Sequence, residues 1–236
     1  MRHNLLILSA VILLAIGLTE ICAQTDNTFT DSRDGSVYQT VTIGKQVWMA
    51  ENLKYLPSVA GSAMGSGTTP YYYVYGYEGT NVEDAKSTTN YAVFGVLYNW
   101  PAAMAGSIGG KGYPSGGQGV CPTGWHLPND AEWTELFDYL GGIPFAGGKL
   151  KETGTNHWIS PNVAATNETG FTALPGGRRI SSGAFESVGE NGYWWGDTDV
   201  STIFAKYWIM YNRNSNVFRM QSTKAMGLSV RCVKDN

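Results

Sequence analysis

The clearest periodic pattern in the chain is an apolar helix face between residues 130 and 140. Four apolar residues recur there at the spacing i, i+3, i+4 and i+7, namely Trp133, Leu136, Phe137 and Leu140. Asn129 suits the N-cap position, and Glu132 three residues later completes a capping box. Gly141-Gly142 then ends the pattern. The sequence therefore predicts one main helix over about 130–140.

Alternating apolar and polar positions predict strands on both sides of this helix. Residues 37–43 and 46–49, with Gly44-Lys45 between them, have the pattern of a hairpin. Toward the C-terminus, a run of antiparallel strands is predicted at 192–196, 203–211, 217–220 and 228–233. The polar segment 212–216 predicts a hairpin turn within this run. In the last strand, Leu228, Val230 and Cys232 share one face, and Ser229 and Arg231 share the other.

Two long segments have no apolar period. Residues 57–90 begin with a Gly/Ser/Ala-rich stretch and continue into a tyrosine-rich one, and we expect a long surface loop there. Residues 106–120 are rich in glycine and predict a second loop. Between them, Pro101 is placed to open a second, short helix.

The composition limits the classes of function. Aromatic residues make up 13% of the chain and charged residues only 15%, with 30 glycines and a net charge of −3. This balance is typical of a folded, loop-rich β or α+β domain. A slightly acidic chain without a basic patch gives no electrostatic reason to expect nucleic acid as a partner.

The first residues have the pattern of a secretory signal. The apolar run 5–18 follows Arg2 and is too short to cross a bilayer, so we predict cleavage near Ala23. The alternative is a lipoprotein anchored through Cys22. It is disfavoured because the preceding residues 19–21, Thr-Glu-Ile, include a charge and a bulky side chain. The predicted organisation is a signal peptide at 1–23, a polar leader at 24–30 and one domain at 31–236. No transmembrane segment is expected in the mature chain.

The mature chain keeps two cysteines, Cys121 and Cys232. An even pair in an exported domain predicts a disulfide. The alternative is a catalytic thiol paired with His126 or His157. It is disfavoured because Cys232 lies four residues from the C-terminus in a strand-like run. Two histidines without ligand spacing also give no zinc site, so no metal ligands or catalytic residues are assigned.

Aromatic clusters supply the candidate ligand contacts. Within the segment 57–90 these are Tyr71, Tyr72, Tyr73 and Tyr75, whose rings would form a platform for sugar rings or for a protein partner. In the alternative interpretation, every second tyrosine is a core residue that holds the loop down. A second cluster places Trp195 beside Asp197 and Asp199. With Glu190 and Asn191 these carboxylates could bind Ca²⁺, although their spacing matches no known calcium loop, and no cofactor is assigned.

Five blocks of sequence resemble one known family, the Fibrobacter succinogenes major paralogous domain. They are DSRDGSVY at 31–38, IGKQVWMAENL at 43–53, GVLYNW at 95–100, CPTGWHLPNDAEWTEL at 121–136 and GLSVRCVKD at 227–235. Together the blocks cover nearly the whole chain after the predicted signal. The family is similar to the C-type-lectin-like and formylglycine-generating-enzyme folds and occurs in exported proteins of Bacteroidetes and Fibrobacteres.

The resemblance implies an α+β, C-type-lectin-like fold. In such a fold the 130–140 helix packs on a twisted antiparallel sheet, with a second short helix, long loops and a bridge from the helix approach to the last strand. Two departures limit the activities it implies. Cys121 and Cys232 match structural positions, which leaves no thiol for formylglycine-generating chemistry. The Glu-Pro-Asn and Trp-Asn-Asp motifs of calcium-dependent lectins are also missing.

The sequence thus predicts a secreted or cell-surface, non-enzymatic binding domain. Its expected ligand is a glycan or an envelope or cell-surface protein, contacted by the loops at 57–90 and 177–200. The alternative from another class is a structural or accessory subunit of a cell-envelope or adhesion complex, without a small ligand. A third, weaker alternative is an enzyme on a formylglycine-generating-enzyme-like scaffold.

Overall fold

The computed structural model describes residues 27–108 and 117–235. The predicted signal peptide 1–23, with its cleavage near Ala23 and the alternative anchor Cys22, lies outside the described residues. So does the middle of the second Gly-rich loop. Within the described residues, no helix combines the length and the apolar character that a membrane span needs.

The described residues form five helices and 13 strands. The helices are α1 (Val82–Lys86), α2 (Thr89–Phe94), α3 (Trp100–Met104), α4 (Asp130–Tyr139) and α5 (Ile143–Leu150). The first seven strands are β1 (Thr28–Thr30), β2 (Val37–Ile43), β3 (Gln46–Met49), β4 (Tyr72–Tyr73), β5 (Leu97–Tyr98), β6 (Trp125–His126) and β7 (Gly176–Arg179). The others are β8 (Phe185–Val188), β9 (Asn191–Asp199), β10 (Phe204–Tyr211), β11 (Val217–Thr223), β12 (Leu228–Ser229) and β13 (Val233–Lys234).

The strands form two main sheets and a small one. The first has the order β1-β2-β3-β13-β6, the second has the order β11-β10-β9-β12-β5-β4, and β7 pairs with β8. Every pairing is antiparallel except the one between β12 and β9, which is parallel. The α+β class is therefore confirmed, but the single antiparallel sheet implied by the resemblance is replaced by these three sheets.

Helix α4 has the boundaries and the cap that its sequence predicts. The Asn129 side chain accepts hydrogen bonds from the backbone N–H groups of Ala131 and Glu132, and the Glu132 carboxylate accepts one from the Asn129 N–H. The buried face includes Trp133, Leu136 and Phe137. The hairpin of β2 and β3 and the short helix α3, with Pro101 in its first turn, are also confirmed.

Strands β9 and β10 separate two apolar cores. Trp194 and Trp208 face the core beneath α4, whereas Trp195 and Tyr207 face the core beneath α3. This division follows from the strand geometry, because successive side chains point to opposite faces. Both faces of these central strands are therefore buried.

Two segments expected to be irregular contain regular structure. The predicted polar leader 24–30 includes β1, which pairs with β2 through Phe29 and Tyr38. The predicted loop 57–90 includes β4, α1 and the start of α2. Its helices are short and capped locally, since Asn81 and Thr88 each accept hydrogen bonds at a helix start. Helices of five and six residues are too short to give a recognisable apolar period.

Helix α5 was not predicted, because it contains Gly147 and Gly148, and glycine is a poor helix former. The structure gives these glycines a packing role. A Cβ atom on Gly147 would lie 2.6 Å from the carbonyl oxygen of Asn216, and one on Gly148 would lie 2.6 Å from that of Ala164. The helix therefore packs directly against backbone on both sides.

The predicted last strand, 228–233, is divided between the two main sheets. Strand β12 pairs with β5 and β9, while β13 pairs with β3 and β6. Between them, the carbonyls of Val230 and Cys232 accept hydrogen bonds from Leu53 and Met49. Cys232 is bonded to Cys121, so the predicted disulfide is confirmed and neither sulfur is a free thiol.

Arg231 lies in this crossing segment and is completely buried. Its guanidinium donates to the carbonyl of Phe171 and, at 2.8 Å, to Oδ1 of Asn52. Burial lowers the pKa of Arg231 to about 9. A cation thus links the C-terminal crossing to the loop before β7.

Candidate functional site

A groove of about 690 Å³ opens between β4, α3 and the end of β9. We call it the Tyr72 groove. Its lining residues come from four separate segments: Thr68, Pro70, Tyr72, Trp100, Pro101, Met104, Ala105, Gly106, Ser107, Ile108, Asp199 and Lys224. Tyr72 belongs to the segment 57–90. Asp199 ends β9 in the segment 177–200, which was expected to be a loop and instead consists mainly of β7, β8 and β9. The fold therefore brings both predicted contact segments to one cavity.

Two aromatic residues line the inner part of this groove. Tyr72 is half-buried and meets the Tyr98 ring edge-on, with ring centroids 5.6 Å apart. Trp100 is 6% exposed and lies edge-on to Trp195 at 5.4 Å. Burial raises the pKa of Tyr72, with a further contribution from Tyr55, while the charge of Arg33 opposes the shift. The Tyr72 side chain therefore stays a neutral phenol over the physiological range.

An ion pair lies beside the aromatic surface. Nζ of Lys224 is 2.9 Å from Oδ1 of Asp199, and the Asp199 side chain is 52% exposed while that of Lys224 is 10% exposed. The backbone N–H of Lys224 donates to Ile203, and its carbonyl accepts from Trp100. This lysine is thus fixed between the β9–β10 turn and α3. The groove combines an apolar wall with one exposed carboxylate and one nearly buried ammonium.

Asn99 connects the walls of the groove. Its Oδ1 accepts hydrogen bonds from the backbone N–H groups of Tyr71 at 2.8 Å and Ala102 at 3.1 Å. Its Nδ2 donates to the carbonyls of Ser66 at 2.8 Å and Thr69 at 2.7 Å. This fully buried side chain therefore caps α3 and holds the segment before β4 at the same time. The groove is shaped before any ligand arrives.

Three of the predicted contact residues are buried. Tyr73, Trp195 and Asp197 each have no exposed surface. The Tyr73 hydroxyl donates to the carbonyl of Met64, and the Trp195 indole N–H donates to that of Tyr98, both at 2.8 Å. A ring that is fully enclosed offers no face for stacking on a ligand. These three positions are therefore corrected to interior residues.

The other tyrosines of the segment point to separate neighbours. The Tyr75 ring packs on Phe185 at 5.1 Å, and burial raises its pKa. Tyr71 lies 6.3 Å from the Tyr73 ring, and neither Tyr71 nor Tyr75 lines the Tyr72 groove. The tyrosines thus do not form one shared platform. The second interpretation, that every second tyrosine is a core residue, holds only for Tyr73, because Tyr71 and Tyr75 are half-buried.

Sequence reasoning missed Trp100, Met104 and Lys224 as groove residues. Trp100 and Met104 belong to the short helix that Pro101 predicts, so their proximity to each other was available from the sequence. Lys224 follows β11 and reaches the groove only through the pairing of β11 with β10. No local pattern relates it to Asp199.

A second groove, of about 890 Å³, lies between the β2–β3 turn and the outer face of α4. Its lining includes Lys45, Glu135, Asp138 and Tyr139. None of the predicted contact residues lies there. It is larger than the Tyr72 groove but shares no residue with it.

The described residues contain no group of side chains suited to hold a metal ion. Among residues 27–108 and 117–235, no three His, Cys, Asp or Glu side chains are grouped as a metal site. The imidazole of His126 is hydrogen-bonded at both nitrogens, to Glu132 and to Asp235. Asp199, one of the residues considered for calcium, instead pairs with Lys224.

Comparisons with known proteins give one match. The model of a family described as the Fibrobacter succinogenes major domain matches residues 41–234, which is most of the chain. No curated protein and no solved structure matches.

Proposed function

The chain belongs to the Fibrobacter succinogenes major domain family, and from the geometry of the Tyr72 groove we propose that it is an exported glycan-binding domain without enzymatic activity. The observation that carries this proposal is the meeting of Tyr72, Trp100 and the Asp199–Lys224 ion pair in one groove. Each comes from a different part of the chain, and together they supply the two kinds of surface that a sugar needs.

A sugar ring has an apolar face of C–H groups and a rim of hydroxyls. The half-buried Tyr72 ring offers apolar area with little conformational entropy to lose, since an aromatic side chain has few rotatable bonds. Oδ atoms of Asp199 accept hydrogen bonds from hydroxyls, and the Lys224 ammonium donates to them. A mostly apolar cavity with a few fixed polar groups is the usual form of a small-ligand site.

Preorganisation supports binding by this groove. Asn99 holds the β4 approach and α3 through four hydrogen bonds, so little order has to be created when a ligand arrives. The Lys224 backbone is fixed at both its N–H and its carbonyl. A ligand would therefore meet walls whose positions are already set.

The wider assignment is a C-type-lectin-like domain outside the cytoplasm. The α+β architecture with one main helix supports the fold assignment, and the Cys121–Cys232 disulfide supports an oxidising compartment. The same disulfide speaks against a formylglycine-generating enzyme, because it leaves neither cysteine as a thiol for copper.

The test is binding of the purified mature domain to a glycan array, followed by titration of the strongest ligand. We expect Tyr72→Ala to weaken binding about tenfold or more, a change of about 1.4 kcal/mol. Asp199→Asn should also weaken it, because the carboxylate charge is lost. Tyr77→Ala is the matched control, since Tyr77 is a half-buried tyrosine of the same segment outside the groove.

The outcomes separate the candidate functions. Binding that is equally strong in Tyr72→Ala and wild type would move the site away from this groove. A folded wild-type domain that binds no glycan but co-purifies with an envelope complex would favour the structural-subunit alternative.

A further inference from the structure

The turn between β9 and β10 exposes apolar side chains. Val200 is 41% exposed, Ile203 58% and Phe204 38%, and we call these three residues the apolar tip. The turn itself is ordered by hydrogen bonds. The Val200 N–H donates to the Phe204 carbonyl at 3.0 Å, and Oγ of Ser201 accepts from the N–H groups of Ile203 and Phe204. The turn is therefore ordered although its apolar side chains are exposed.

The next turn of the same sheet provides an internal comparison. Residues 212–216, between β10 and β11, read Asn-Arg-Asn-Ser-Asn and are entirely polar. Turns are usually built from such residues, because they tolerate solvent and bond to nearby backbone. The two turns lie at opposite ends of β10, and only the one before β10 has exposed apolar side chains.

The apolar tip borders the Tyr72 groove. Val200 follows Asp199 directly, and the Ile203 carbonyl accepts a hydrogen bond from the Lys224 N–H at 2.8 Å. On another side of the same groove, Ile108 is 89% exposed. The groove thus lies between exposed apolar side chains on two of its sides.

We propose that the Tyr72 groove binds the sugar headgroup of a membrane glycolipid while the apolar tip enters the lipid layer beside it. This inference rests on the proposed glycan binding and names the form in which the glycan is presented. A free polysaccharide would gain little from Ile203, whereas a glycolipid places hydrocarbon directly beside its sugar. Insertion at an interface strengthens with the apolar area that is buried.

The chemistry of the apolar tip favours lipid over a protein partner. Protein interfaces are enriched in Tyr, Trp, Phe, Met and Arg, but their hot spots are mostly Trp, Tyr and Arg, while Val, Ser and Thr are under-represented among them. The tip instead offers two aliphatic residues and one Phe, separated by Ser201 and Thr202, on a narrow turn. A narrow turn covers too little area for a stable protein interface, but it can enter between lipid headgroups.

The direct test places an environment-sensitive fluorophore (a nitrobenzoxadiazole label) on an Ile203→Cys variant. The probes are phosphatidylcholine vesicles without glycolipid and vesicles that carry the glycolipid form of the strongest array ligand. We expect increased, blue-shifted emission at position 203 with glycolipid vesicles. Asn214→Cys, labelled in the same way at the polar turn, is the matched control and should not respond. Unchanged emission of the label at position 203, or equal emission changes at positions 203 and 214, would overturn the inference.

A second variant separates lipid insertion from sugar binding. Ile203→Asn should weaken binding to glycolipid vesicles about tenfold or more, since burying an Ile side chain contributes on this order. Its affinity for the soluble glycan should be unchanged. Tyr72→Ala should weaken both.

The two proposals therefore fail differently. If soluble glycan binds in a Tyr72-dependent way but Ile203→Asn binds vesicles like wild type, the glycan function stands and lipid insertion is wrong. If no glycan on the array binds and the 203 label responds to plain phosphatidylcholine vesicles, the glycan function is wrong and so is the headgroup assignment. Cross-linking of position 203 to a protein, without a vesicle response, would replace the lipid with a protein partner.

Discussion

Nε2 of His126 lies 2.6 Å from Oε1 of Glu132, the residue that also closes the capping box of α4. On its other side, Nδ1 of His126 lies 2.6 Å from Oδ1 of Asp235. A buried imidazole between two carboxylates links the start of the main helix to the C-terminal residues. This arrangement makes part of the domain's stability depend on a proton.

The first prediction concerns this proton. Burial alone lowers the pKa of His126, but the hydrogen bonds and charges of Glu132 and Asp235 outweigh it, so the net pKa is raised. A raised folded-state pKa means that the stabilisation is fully present below the unfolded value of about 6.5 and is lost as the pH rises through the folded value. Glu132→Gln keeps a capping side chain but removes the charge.

The measurement is the free energy of unfolding from urea titrations between about pH 5.5 and pH 9. We expect the stability difference between wild type and Glu132→Gln to shrink as the pH rises through this window. Parallel curves for the two proteins would contradict the assignment of a charged imidazole.

The second prediction concerns the Cys121–Cys232 disulfide, which closes a loop of 111 residues. The double variant Cys121→Ser/Cys232→Ser should lose roughly 2–5 kcal/mol of unfolding free energy, because the unfolded chain is no longer constrained. Reductant should lower the melting temperature of wild type and leave the variant unchanged. Equal sensitivity of both proteins to reductant would point to another cause.

The parts of the fold that could be predicted from the sequence are those set by residues close together in the chain. The capping box of Asn129 and Glu132 is complete within four residues, and the hairpin of β2 and β3 needs only its own turn, so both were predictable. The disulfide was predictable because Cys121 and Cys232 are the only two cysteines after the predicted signal. Helix α5 was not, since Gly147 is explained only by the backbone of Asn216, far along the chain.

The site was predictable in part for the same reason. Tyr72 and Asp199 were each identified from local composition, and their meeting in one groove was not readable from either segment. Lys224 reaches the groove through a tertiary ion pair. Asn99 caps α3 locally, but its bonds to Ser66, Thr69 and Tyr71 depend on the fold and leave no periodic signal. Trp195 was misassigned because the strand at 192–196 could be predicted, but the burial of both its faces between two cores could not.

The third prediction separates core aromatics from ligand contacts. Trp195→Ala should cost about 3–5 kcal/mol of stability, because it empties a large buried volume beside Trp100. Tyr72→Ala should cost less, since that ring is half-exposed, and should mainly weaken glycan binding. Thermal denaturation and glycan titration on both variants check this. Near-wild-type stability of Trp195→Ala would contradict its burial.

The fourth prediction concerns Asn99 as the residue that shapes the groove. Asn99→Ala should lower stability by at least about 2 kcal/mol, since it removes four hydrogen bonds at a buried position. Asn99→Ala should also weaken glycan binding, although Asn99 does not line the groove. Asn81→Ala is the control, since it removes the N-cap of α1, costs about 1 kcal/mol and lies outside the groove.

Asn99→Asp adds a sharper comparison. The carboxylate still accepts from the N–H groups of Tyr71 and Ala102, but it cannot donate to the carbonyls of Ser66 and Thr69. We expect α3 to remain capped while the segment before β4 loosens, so that glycan affinity falls more than helix stability. Hydrogen exchange measured at residues 66–72 and at residues 100–104 separates these effects. An equal loss of protection in the two segments would argue against separate roles for Oδ1 and Nδ2 of Asn99.

The last prediction compares two opposing effects on stability, helix propensity and steric overlap. Replacing a helical glycine by alanine is expected to stabilise an exposed helix by about 1 kcal/mol. In α5, however, a Cβ on Gly147 would lie 2.6 Å from the carbonyl oxygen of Asn216 and 2.8 Å from that of Ser215. A side chain could relieve this overlap by changing its rotamer, but a backbone carbonyl cannot. Helix α5 would therefore have to move away from the β10–β11 turn.

Overpacking of this kind typically costs 1–3 kcal/mol, which exceeds the propensity gain, so Gly147→Ala should be destabilising by about 1–2 kcal/mol. Lys149→Ala in the same helix is the control, because it removes only a surface ion pair with Glu168 and should change stability by less than about 1 kcal/mol. Urea denaturation of both variants decides the matter. A more stable Gly147→Ala protein would mean that helix propensity outweighs the contact with the turn.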